Sequence, residues 1–508
     1  MVRSTFAGFS VAQLAMAVSQ NALDVVGQNV SNINTAGYTR QRLDQQSVKP
    51  TGHSVMNTKF AIKVGQGVMA TGVSQIRDPF LDIQYRSQLA EVGTVDAMDS
   101  ILARLGDIFD ETASSKIGTA LNEVISQLQN MARPDTAGQD TYETLVRSAM
   151  ETFINLIHDN AKELTSLRQE YVTKLTGTDE QEIDSILSKI VELNESIKNS
   201  HVLGNPALEL MDQRNELIDS LATYLPIDVT YEEQTMGANI TIETLKVTFT
   251  DANGNQHTLI DDQDKGTVDV QATADMGVTV SITDAAGGAA VDVTDALGDG
   301  VLKGYADMLN ERGVYAGDDT KGIGFYEDYF DEYINMFATT MNDLNQPGGP
   351  LFTTADGQTT GFTAENIRVS EGWMNGNVSL TTSTDPNAGD GTYENIQRMI
   401  NALSKDDHDF NVPGTATNVF TGTFLEAYDF LQNTQASERS SVSTILTNRT
   451  TMLNQIANSK DSVSGVSLDE EVMNMMRYQQ SYTAAARLMT TLDEALDTLI
   501  NKTGIVGR

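Results

Sequence analysis

Residues 467–499 read SLDEEVMNMMRYQQSYTAAARLMTTLDEALDTL, which is the clearest helical pattern in the chain. Ser467 and Glu470 form the Ser-x-x-Glu pattern of a capping box, which predicts that a helix begins here. Apolar residues then recur in steps of four and three, the spacing of a coiled-coil seam. The seam comprises Met475, Tyr478, Tyr482, Ala485, Met489, Leu492, Leu496 and Leu499. The sequence therefore predicts a terminal helix whose apolar face either belongs to an ordinary helical core or joins a separate helix.

The opposite end of the chain also predicts an amphipathic helix, over residues 4–30. Val11, Leu14 and Val18 follow helical spacing, and polar residues interrupt the apolar run, which favours this helix over a cleavable signal peptide. A polar, turn-rich stretch follows, in which Gly37 suits a left-handed backbone conformation. Because only the other terminus could cover the C-terminal seam, we expect the two terminal helices to lie side by side.

Length and charge exclude several classes of protein. The chain has 508 residues, enough for several domains, and its 70 acidic and 33 basic residues give a net charge of −37. Such a charge argues against nucleic-acid binding, which needs clustered lysine and arginine. The sequence has no run of about 20 apolar residues, so we expect no membrane insertion. Residues 1–77 are net positive, which could attract acidic neighbouring subunits or could mark a solvated basic loop.

Motifs for catalysis or metal binding do not stand out. The chain has no cysteine, which excludes disulfides and thiolate sites, and its five histidines follow no metal-ligand spacing. Residues 251–255 loosely resemble a calcium loop, but the Asn253-Gly254 pair favours a hairpin turn. We therefore expect no cofactor, no metal and no catalytic residue, and an enzyme is the weaker hypothesis.

Between the ends, the sequence predicts long helices around a β-rich insertion. The expected helices cover 78–109, 115–132, 138–176 (ended by Gly177), 179–200, 207–223, 300–345, 392–404 and 419–460. Alternating polar and apolar residues predict strands over 227–299.

The predicted fold class is mainly α with a β-rich insertion (α+β). It is a long helical rod or bundle of nested, discontinuous domains, with the N- and C-terminal helices paired as a coiled coil. The expected domains are a terminal helical polymerisation domain (1–60 plus 461–508), a helical rod (61–226 plus 300–460, irregular over 346–415) and an inserted β-rich domain (227–299).

Several stretches resemble known proteins. Residues 28–41, QNVSNINTAGYTRQ, resemble the N-terminal signature of the flagellar axial protein family, with Ala36 where proline is usual. Residues 464–471, 477–482 and 485–487 are similar to the C-terminal end of the hook-associated branch of this family. Residues 210–217, LMDQRNEL, and 300–304, GVLKG, look like internal motifs of the same branch.

The resemblance implies a structural protein that links hook to filament. It further implies an extracellular location in the flagellum at the hook–filament junction, and export by the flagellar type III secretion system without a cleaved signal peptide. The implied partners are further copies of the chain in a ring layer, the hook protein, a second hook-associated protein and an export chaperone. Another flagellar axial protein, such as a second junction protein or a flagellin-like protein, and an adhesin carried on the flagellum remain alternatives.

The residues expected to make subunit contacts lie near both chain ends. They are Val11, Leu14, Val18, Val25, Asn29, Asn32, Asn34, Gly37, Tyr38, Arg40, Leu468, Met475, Tyr478, Tyr482, Met489, Leu492, Leu496 and Leu499.

Overall fold

A computed structural model describes residues 5–48, 66–109, 117–133, 139–236, 240–385, 392–415 and 417–502. The fold is mainly α with small antiparallel sheets, as the sequence predicts. Some predicted features lie outside the described residues. They are the helix starts at residues 4, 115–116 and 138 and the basic residues Arg3, Lys49, Lys59 and Lys63. No helix in these ranges is long and apolar enough to cross a membrane.

The described helices include two long ones near each end of the chain. They are α1 (Thr5–Ser31), α2 (Pro79–Phe109), α3 (Ile117–Met131), α4 (Gln139–Thr173), α5 (Glu180–Val202), α6 (Leu208–Tyr224), α7 (Val301–Asn310), α8 (Ile323–Leu344), α9 (Glu371–Met374), α10 (Glu394–Ser404), α11 (Phe424–Ser464) and α12 (Leu468–Asp497).

The strands form five small antiparallel sheets within the described ranges. They are β1 (Gln41–Ser47), β2 (Val68–Gln75), β3 (Ile227–Met236), β4 (Ile240–Thr250), β5 (Gln256–Asp261), β6 (Asp264–Lys265), β7 (Thr267–Ala272), β8 (Val278–Thr283), β9 (Val291–Asp292), β10 (Phe352–Thr354), β11 (Ile367–Val369), β12 (His408–Asn411) and β13 (Asn418–Gly422). Strands β3–β6 and β7–β9 make up the predicted β-rich insertion.

Helices α2 and α11 lie side by side and antiparallel, and α6 packs against α2; we call these three helices the rod. Helix α2 begins where predicted, because the Asp78 carboxylate accepts a hydrogen bond from the backbone N–H of Phe80 at 3.0 Å. Lys460 reaches Asp82 near one end of the pair, and the Gln432 side chain donates to the carbonyl of Phe109 at the other. About 27 residues separate these contacts along each helix, so the pair extends over roughly 40 Å.

Glycines allow helices to cross closely within the core. A Cβ atom placed on Gly304 of α7 would lie 2.3 Å from the carbonyl oxygen of Thr94 on α2. On Gly93 of α2 it would lie 2.5 Å from the carbonyl oxygen of Thr223 at the end of α6. Any larger residue would force these backbones apart, so the glycines fix how the rod packs against the segment that follows the insertion.

Gly177 does not end the helix that contains it, contrary to the prediction. Helices α4 and α5 run on through a π-helical turn, Lys174–Asp179, so the helix is continuous from Gln139 to Val202. Glycine costs a helix only about 1 kcal/mol, and the wholly buried Leu175 and Ile183 hold both sides of the turn in the core. Tertiary packing therefore outweighs the local preference of glycine.

Two further helix predictions need correction. The predicted helix over 300–345 is divided into α7 and α8, and Gly313, whose φ is +57°, lies in the connection. The predicted helix over 419–460 begins later, at Phe424, because residues 418–422 form strand β13 against β12. A capping box of Thr423 and Glu426 fixes that start.

The Asn253-Gly254 pair forms the predicted hairpin turn between β4 and β5. Gly254 has φ +86°, and the Asp251 carboxylate accepts hydrogen bonds from the backbone N–H groups of Asn253 and Asn255 at 2.9 and 2.7 Å. The turn itself therefore uses the carboxylate that a calcium loop would offer to the ion. The nested domain boundaries stay a prediction.

Candidate functional site

Helices α1 and α12 lie side by side and antiparallel. At one end, the Asn29 side chain donates to the Glu471 carboxylate at 3.3 Å. At the other, a Cβ atom placed on Gly8 would lie 3.0 Å from a methyl carbon of Leu492. The two contacts are separated by 21 residues on α1 and by 21 residues on α12, so the two helices keep the same register over roughly 31 Å. The two chain ends therefore form one unit, whereas the supercoil of a coiled coil stays a prediction.

Small residues of α1 face α12. Ala12, Ala22 and Val26 are 1–3% exposed and share the helical phase of Gly8 and Asn29. Small side chains let two helix backbones approach closely, as the contact between Gly8 and Leu492 shows. These buried small residues therefore lie on the side of α1 that faces α12.

The stripe of α1 predicted from the sequence lies partly against the hairpin of β1 and β2. Val11 and Leu14 contact Gly67 just before β2. Val25 lines a small cavity of 240 Å³ between α1, β1 and α12, and Val18 is buried at 6% exposure. The structure thus brings these four residues together on one side of α1 and largely covers them within the chain, while their role in subunit contact stays a prediction.

Asn29 connects three segments at the end of α1. Its side-chain oxygen Oδ1 accepts hydrogen bonds from the Gln41 backbone N–H at 2.9 Å and from the Tyr38 hydroxyl at 3.0 Å. Its amide donates to the Gln41 carbonyl at 2.9 Å and to Glu471. The side chain is 1% exposed, so these bonds replace water and fix the turn between α1 and β1 against α12.

Arg40 joins the turn to the start of α12. Its guanidinium donates to Glu471 at 2.8 Å and to Glu470 at 2.6 Å, and its backbone N–H donates to the carbonyl of Ser464 at 2.8 Å. Glu471 is 1% exposed, so the hydrogen bonds from Arg40 and Asn29 replace those that water would make to its carboxylate. Burial opposes the charge on Arg40, but the hydrogen bonds to the two carboxylates outweigh it and raise its pKa.

The predicted capping box at the start of α12 does not form. The Ser467 side chain makes no capping hydrogen bond, and Glu470 bonds to Arg40 instead of to the backbone. A charged partner binds a carboxylate more strongly than a backbone N–H does, so a contact far along the chain replaces the local one. The helix still begins at Leu468, as the pattern predicts.

Asp212 on α6 attaches the same turn to the rod. Its carboxylate accepts from the Thr39 backbone N–H at 3.0 Å and from the Gln75 side chain at 2.8 Å. Burial raises the pKa of Asp212, and the hydrogen bonds from Thr39 partly offset this effect. The chain ends are therefore bonded to the rod as well as to each other.

The Asp212-Gln213-Arg214 motif faces two parts of the molecule. Arg214 is 1% exposed and donates to the Asn194 side chain on α5 at 3.0 Å. Its guanidinium also lies 5.4 Å from the ring centre of Tyr231 on β3. Within three residues, α6 therefore contacts the chain ends through Asp212 and the β-rich insertion through Arg214.

The loop after α1 forms a compact turn. Gly37 has φ +74°, as the sequence predicts, and it faces the side chain of Glu216. Asn32 donates from its side chain to the carbonyl of Gln28 at 3.0 Å, whereas Asn34 is exposed. Burial is the main cause that raises the pKa of Tyr38, and the carboxylates around it add to the effect. The hydroxyl therefore stays neutral and donates to Asn29.

The predicted residues of α12 fall into two groups. Those half-buried are Met475, Tyr478, Met489, Leu492 and Leu496. Those exposed are Leu468, Tyr482 and Leu499, at 50%, 39% and 51%. Leu492 of the first group lies against Gly8 of α1, and the second group leaves apolar surface on the helix.

A polar cleft of 880 Å³ lies where the chain ends meet the rod, beside the loop after α1. Lys460 and Asp219 line this cleft and form an ion pair. Lys460 also pairs with Asp82, and Arg86 also pairs with Asp219. These paired charges tie α2, α6 and α11 together. In the part of the chain that the structure describes, no three His, Cys, Asp or Glu side chains are grouped to hold a metal ion.

Sequence reasoning misses the partners on which the predicted residues depend. Glu471 and Asp212 are buried carboxylates at 1% and 6% exposure, and Gln75 bonds to Asp212 from the end of β2. The sequence signal for Asp212 is its place in the motif of residues 210–217, which resembles an internal motif of the hook-associated branch. Glu471 follows the acidic pair Asp469-Glu470, and nothing local distinguishes it.

Comparison with known protein families matches most of the chain. A family model described as the flagellar hook-associated protein FlgK helical domain matches residues 102–362. A model described as flagella basal body rod protein matches residues 9–39, and one described as flagellar basal body rod FlgEFG protein C-terminal matches residues 461–502. The last two stretches contain most of α1 with its loop, and α12.

Whole-chain relatives give the same result. Flagellar hook-associated protein 1 of Bacillus subtilis is 28% identical, over 99% of this chain and 100% of the relative. Its counterpart in Salmonella typhimurium is 23% identical, over 95% of this chain and 97% of the relative. The solved structure of the flagellar hook junction protein FlgK from Burkholderia pseudomallei has a TM-score of 0.57 at 12% identity, covering 75% of this chain and 100% of that chain, which shows a shared fold.

Proposed function

Because the chain belongs to the FlgK family of flagellar hook-associated proteins, we propose that it is a structural adaptor between hook and filament. The adaptor assembles with further copies of itself through the unit formed by its two chain ends. The observation that carries the proposal is the bonding of Asn29 and Arg40 to Glu471, which makes one body of α1 and α12.

The unit has apolar surface left for a second copy. Leu468 and Tyr482 are exposed on α12, together with Met473 and Met476 at 59% and 51%. Exposed apolar patches of this kind are typical of interaction surfaces. Repetition around a tube requires a heterologous contact, in which two different surfaces of the chain meet. We therefore assign the exposed side of α12 to one half of that contact.

The further partners follow from the family. The hook protein and a second hook-associated protein would contact the two sides of the layer, and an export chaperone would bind the chain before assembly. Export would use the secretion channel of the flagellum, without a cleaved signal peptide, and deliver the protein to the junction outside the cell. A structural role needs no catalytic group.

Separate deletion of residues 1–45 and 465–508 tests the proposal. Each deletion removes one helix of the unit, so we expect neither protein to occupy hook tips, and we expect cells to carry hooks without filaments. The measurement is immunogold electron microscopy of hook tips, in cells that lack the intact protein. A matched control changes Leu203, which is 78% exposed at the end of α5, to Ser and should assemble normally.

Occupied hook tips with either truncated protein would disprove the role of the chain ends. Circular dichroism of each purified protein separates empty hook tips that result from loss of the unit from empty tips that result from general unfolding, because general unfolding would also remove the helical signal of the remaining chain. Polymerisation of the purified intact protein into long filaments would instead favour a filament protein.

A further inference from the structure

The first two strands of the β-rich insertion extend beyond the rest of their sheet. Strand β3 pairs with β4 from Ile227 to Met236, whereas β5 pairs with β4 from Lys246 to Thr250 only. In the part of the sheet that the structure describes, β4 therefore pairs with β3 alone before Lys246. A two-stranded ribbon by itself is marginally stable in water, so this strand pair depends on the helices against which it packs.

One face of the strand pair β3–β4 is turned toward the helices. Residues opposite each other in an antiparallel pair share a face, as do alternate residues of one strand. Tyr231 is paired with Leu245, and Glu243 lies on the same face by alternation. Leu245 and Val247 are 1% and 0% exposed, and β4 packs against α5. The face therefore changes from apolar to acidic at Glu243, whose side chain is 39% exposed.

Arg214 of α6 lies against the acidic end of this face. Its guanidinium lies 5.4 Å from the ring centre of Tyr231, and Nη1 donates to the Asn194 side chain at 3.0 Å. The other two nitrogens, Nε and Nη2, make no hydrogen bond to any residue that the structure describes. Nη2 lies 3.6 Å from a carboxylate oxygen of Glu243, which is slightly too far for a hydrogen bond. A guanidinium at 1% exposure thus lies beside a carboxylate that is not yet bonded to it.

We propose that Arg214 and Glu243 form a latch that holds the strand pair β3–β4 on α6. When the latch is closed, the carboxylate of Glu243 accepts hydrogen bonds from both Nε and Nη2, the two adjacent donors that a bidentate arginine–carboxylate contact uses. A movement of about 0.7 Å from the observed position brings the carboxylate within that distance. When the latch is open, Glu243 is hydrated and the strand pair separates from α6.

The latch acts on one side of α6 only. On β3, the Tyr231 hydroxyl donates to the side chain of Asn215, the residue next to Arg214, at 3.1 Å. Asp212 precedes Arg214 by two residues, so the two side chains point to opposite sides of the helix. Asp212 bonds to the backbone N–H of Thr39 in the turn after α1. The latch can therefore open while the contact between α6 and the chain ends is kept.

Neutral and reversed charges at Glu243 test the latch. Glu243→Gln removes the charge and keeps the shape of the side chain, and Glu243→Lys places a like charge beside Arg214. The matched control is Glu232→Gln, because Glu232 is exposed and pairs with Thr244, so it lies on the opposite face of the same strand pair. Hydrogen exchange of the purified full-length proteins is measured by mass spectrometry over residues 227–232 and 243–250, and circular dichroism checks that each protein is folded.

We expect these amides to exchange about tenfold faster in Glu243→Gln than in the unmodified protein, and faster still in Glu243→Lys, because Arg214 loses its countercharge. Glu232→Gln should exchange at the unmodified rate. The same rate in Glu243→Gln and Glu232→Gln would overturn the proposal. Faster exchange in β7, β8 and residues 32–40 as well would also overturn it, since Arg214 and Glu243 would then support the whole molecule rather than this strand pair.

Ionic strength separates the latch from ordinary packing. Raising NaCl from about 0.05 M to about 0.5 M shortens the Debye length from about 14 Å to about 4 Å, which weakens the attraction between the two side chains. We expect the same amides to exchange about threefold faster at high salt in the unmodified protein and in Glu232→Gln, and no change in Glu243→Gln. An equal effect of salt in all three proteins would overturn the proposal. Both measurements use the free protein, so they are independent of assembly at the hook.

Discussion

At the level of single residues, the buried carboxylate of Glu471 joins the two chain ends. It accepts hydrogen bonds from Arg40 and Asn29, which lie more than 400 residues earlier in the chain. A buried ion pair adds little stability by itself, but removal of one partner leaves an uncompensated charge or polar group in the interior. Glu471 therefore fixes where the two ends meet.

Replacement of Glu471 by Ala should lower the free energy of unfolding of the helix pair by about 3–5 kcal/mol, because Arg40 and Asn29 lose a buried partner. The matched control is Glu470→Ala, which removes a carboxylate from the same arginine. The Glu470 side chain is 54% exposed, so the expected loss is below about 1 kcal/mol. Native-state hydrogen exchange of α1 and α12 measures both values, and equal losses would contradict the assignment.

Gly37 should be sensitive to a single methyl group. With φ at +74°, alanine there is strained, and Gly37→Ala should destabilise the turn by about 1 kcal/mol. Gly27 lies inside α1, where an added Cβ atom would meet nothing within 4 Å, so Gly27→Ala should stabilise the same region by about 0.5–1 kcal/mol. Chemical denaturation monitored by hydrogen exchange measures the free energy of unfolding of this region in both variants. We expect the two changes in free energy to have opposite signs.

The residues of this site were only partly predictable from the sequence. Gly37 and Asn29 were found because backbone preference and a recurring motif mark them. The role of Glu470 was predicted wrongly, because Ser467 and Glu470 form a local capping pattern and Arg40 is 430 residues away. A single sequence shows which groups need a partner, but not which distant group supplies it.

At the scale of elements, helical periodicity predicted most bounds within a few residues. It failed where tertiary contacts determine the path, as at Gly177, where packing on both sides continues the helix through a π turn. It also failed at residues 418–422, where pairing with β12 makes a strand. Sequence spacing also does not reveal that Val11 and Leu14 of α1 lie beside Gly67, just before the second strand of the hairpin.

Two helix glycines should respond to alanine in opposite ways. Gly304→Ala would place a Cβ atom 2.3 Å from the backbone of α2, so we expect a loss of about 2–3 kcal/mol in the free energy of unfolding. Gly177→Ala meets no atom within 4 Å, and we expect a gain of about 0.5–1 kcal/mol from helix propensity. Thermal unfolding of both variants provides the comparison. A destabilised Gly177→Ala would show that the π turn requires glycine.

For the whole molecule, the free energy of unfolding depends on pH because burial shifts the pKa of carboxyl groups such as that of Asp331. Burial raises the pKa of Asp331 on α8 to about 7, and the neighbouring Asp328 and Glu327 add to the shift against a hydrogen bond from Ala364. The folded chain therefore keeps a proton that the unfolded chain releases near pH 3.8. Stability should fall as pH rises from about 4 to 7, and this contribution should level off above pH 7.

Replacement of Asp331 by Asn removes that ionisation while an amide oxygen still accepts from Ala364. We expect Asp331→Asn to be more stable than the unmodified protein at pH 8, and the difference to vanish near pH 4. Urea unfolding at a series of pH values measures it. Asp356→Asn, at an exposed turn, is the control for loss of one charge. A difference independent of pH would contradict the assigned ionisation.

The central claim is that the two ends of one chain stay paired in the assembled flagellum. The variant G8C/L492C tests it directly, because these positions face each other across α1 and α12 and the chain has no other cysteine. Hook–filament structures isolated from cells that express the variant are cross-linked, dissolved and sized on a denaturing gel. The account predicts a cross-linked species of monomer mass from the junction. Cross-links only between different copies, or none at all, would contradict it.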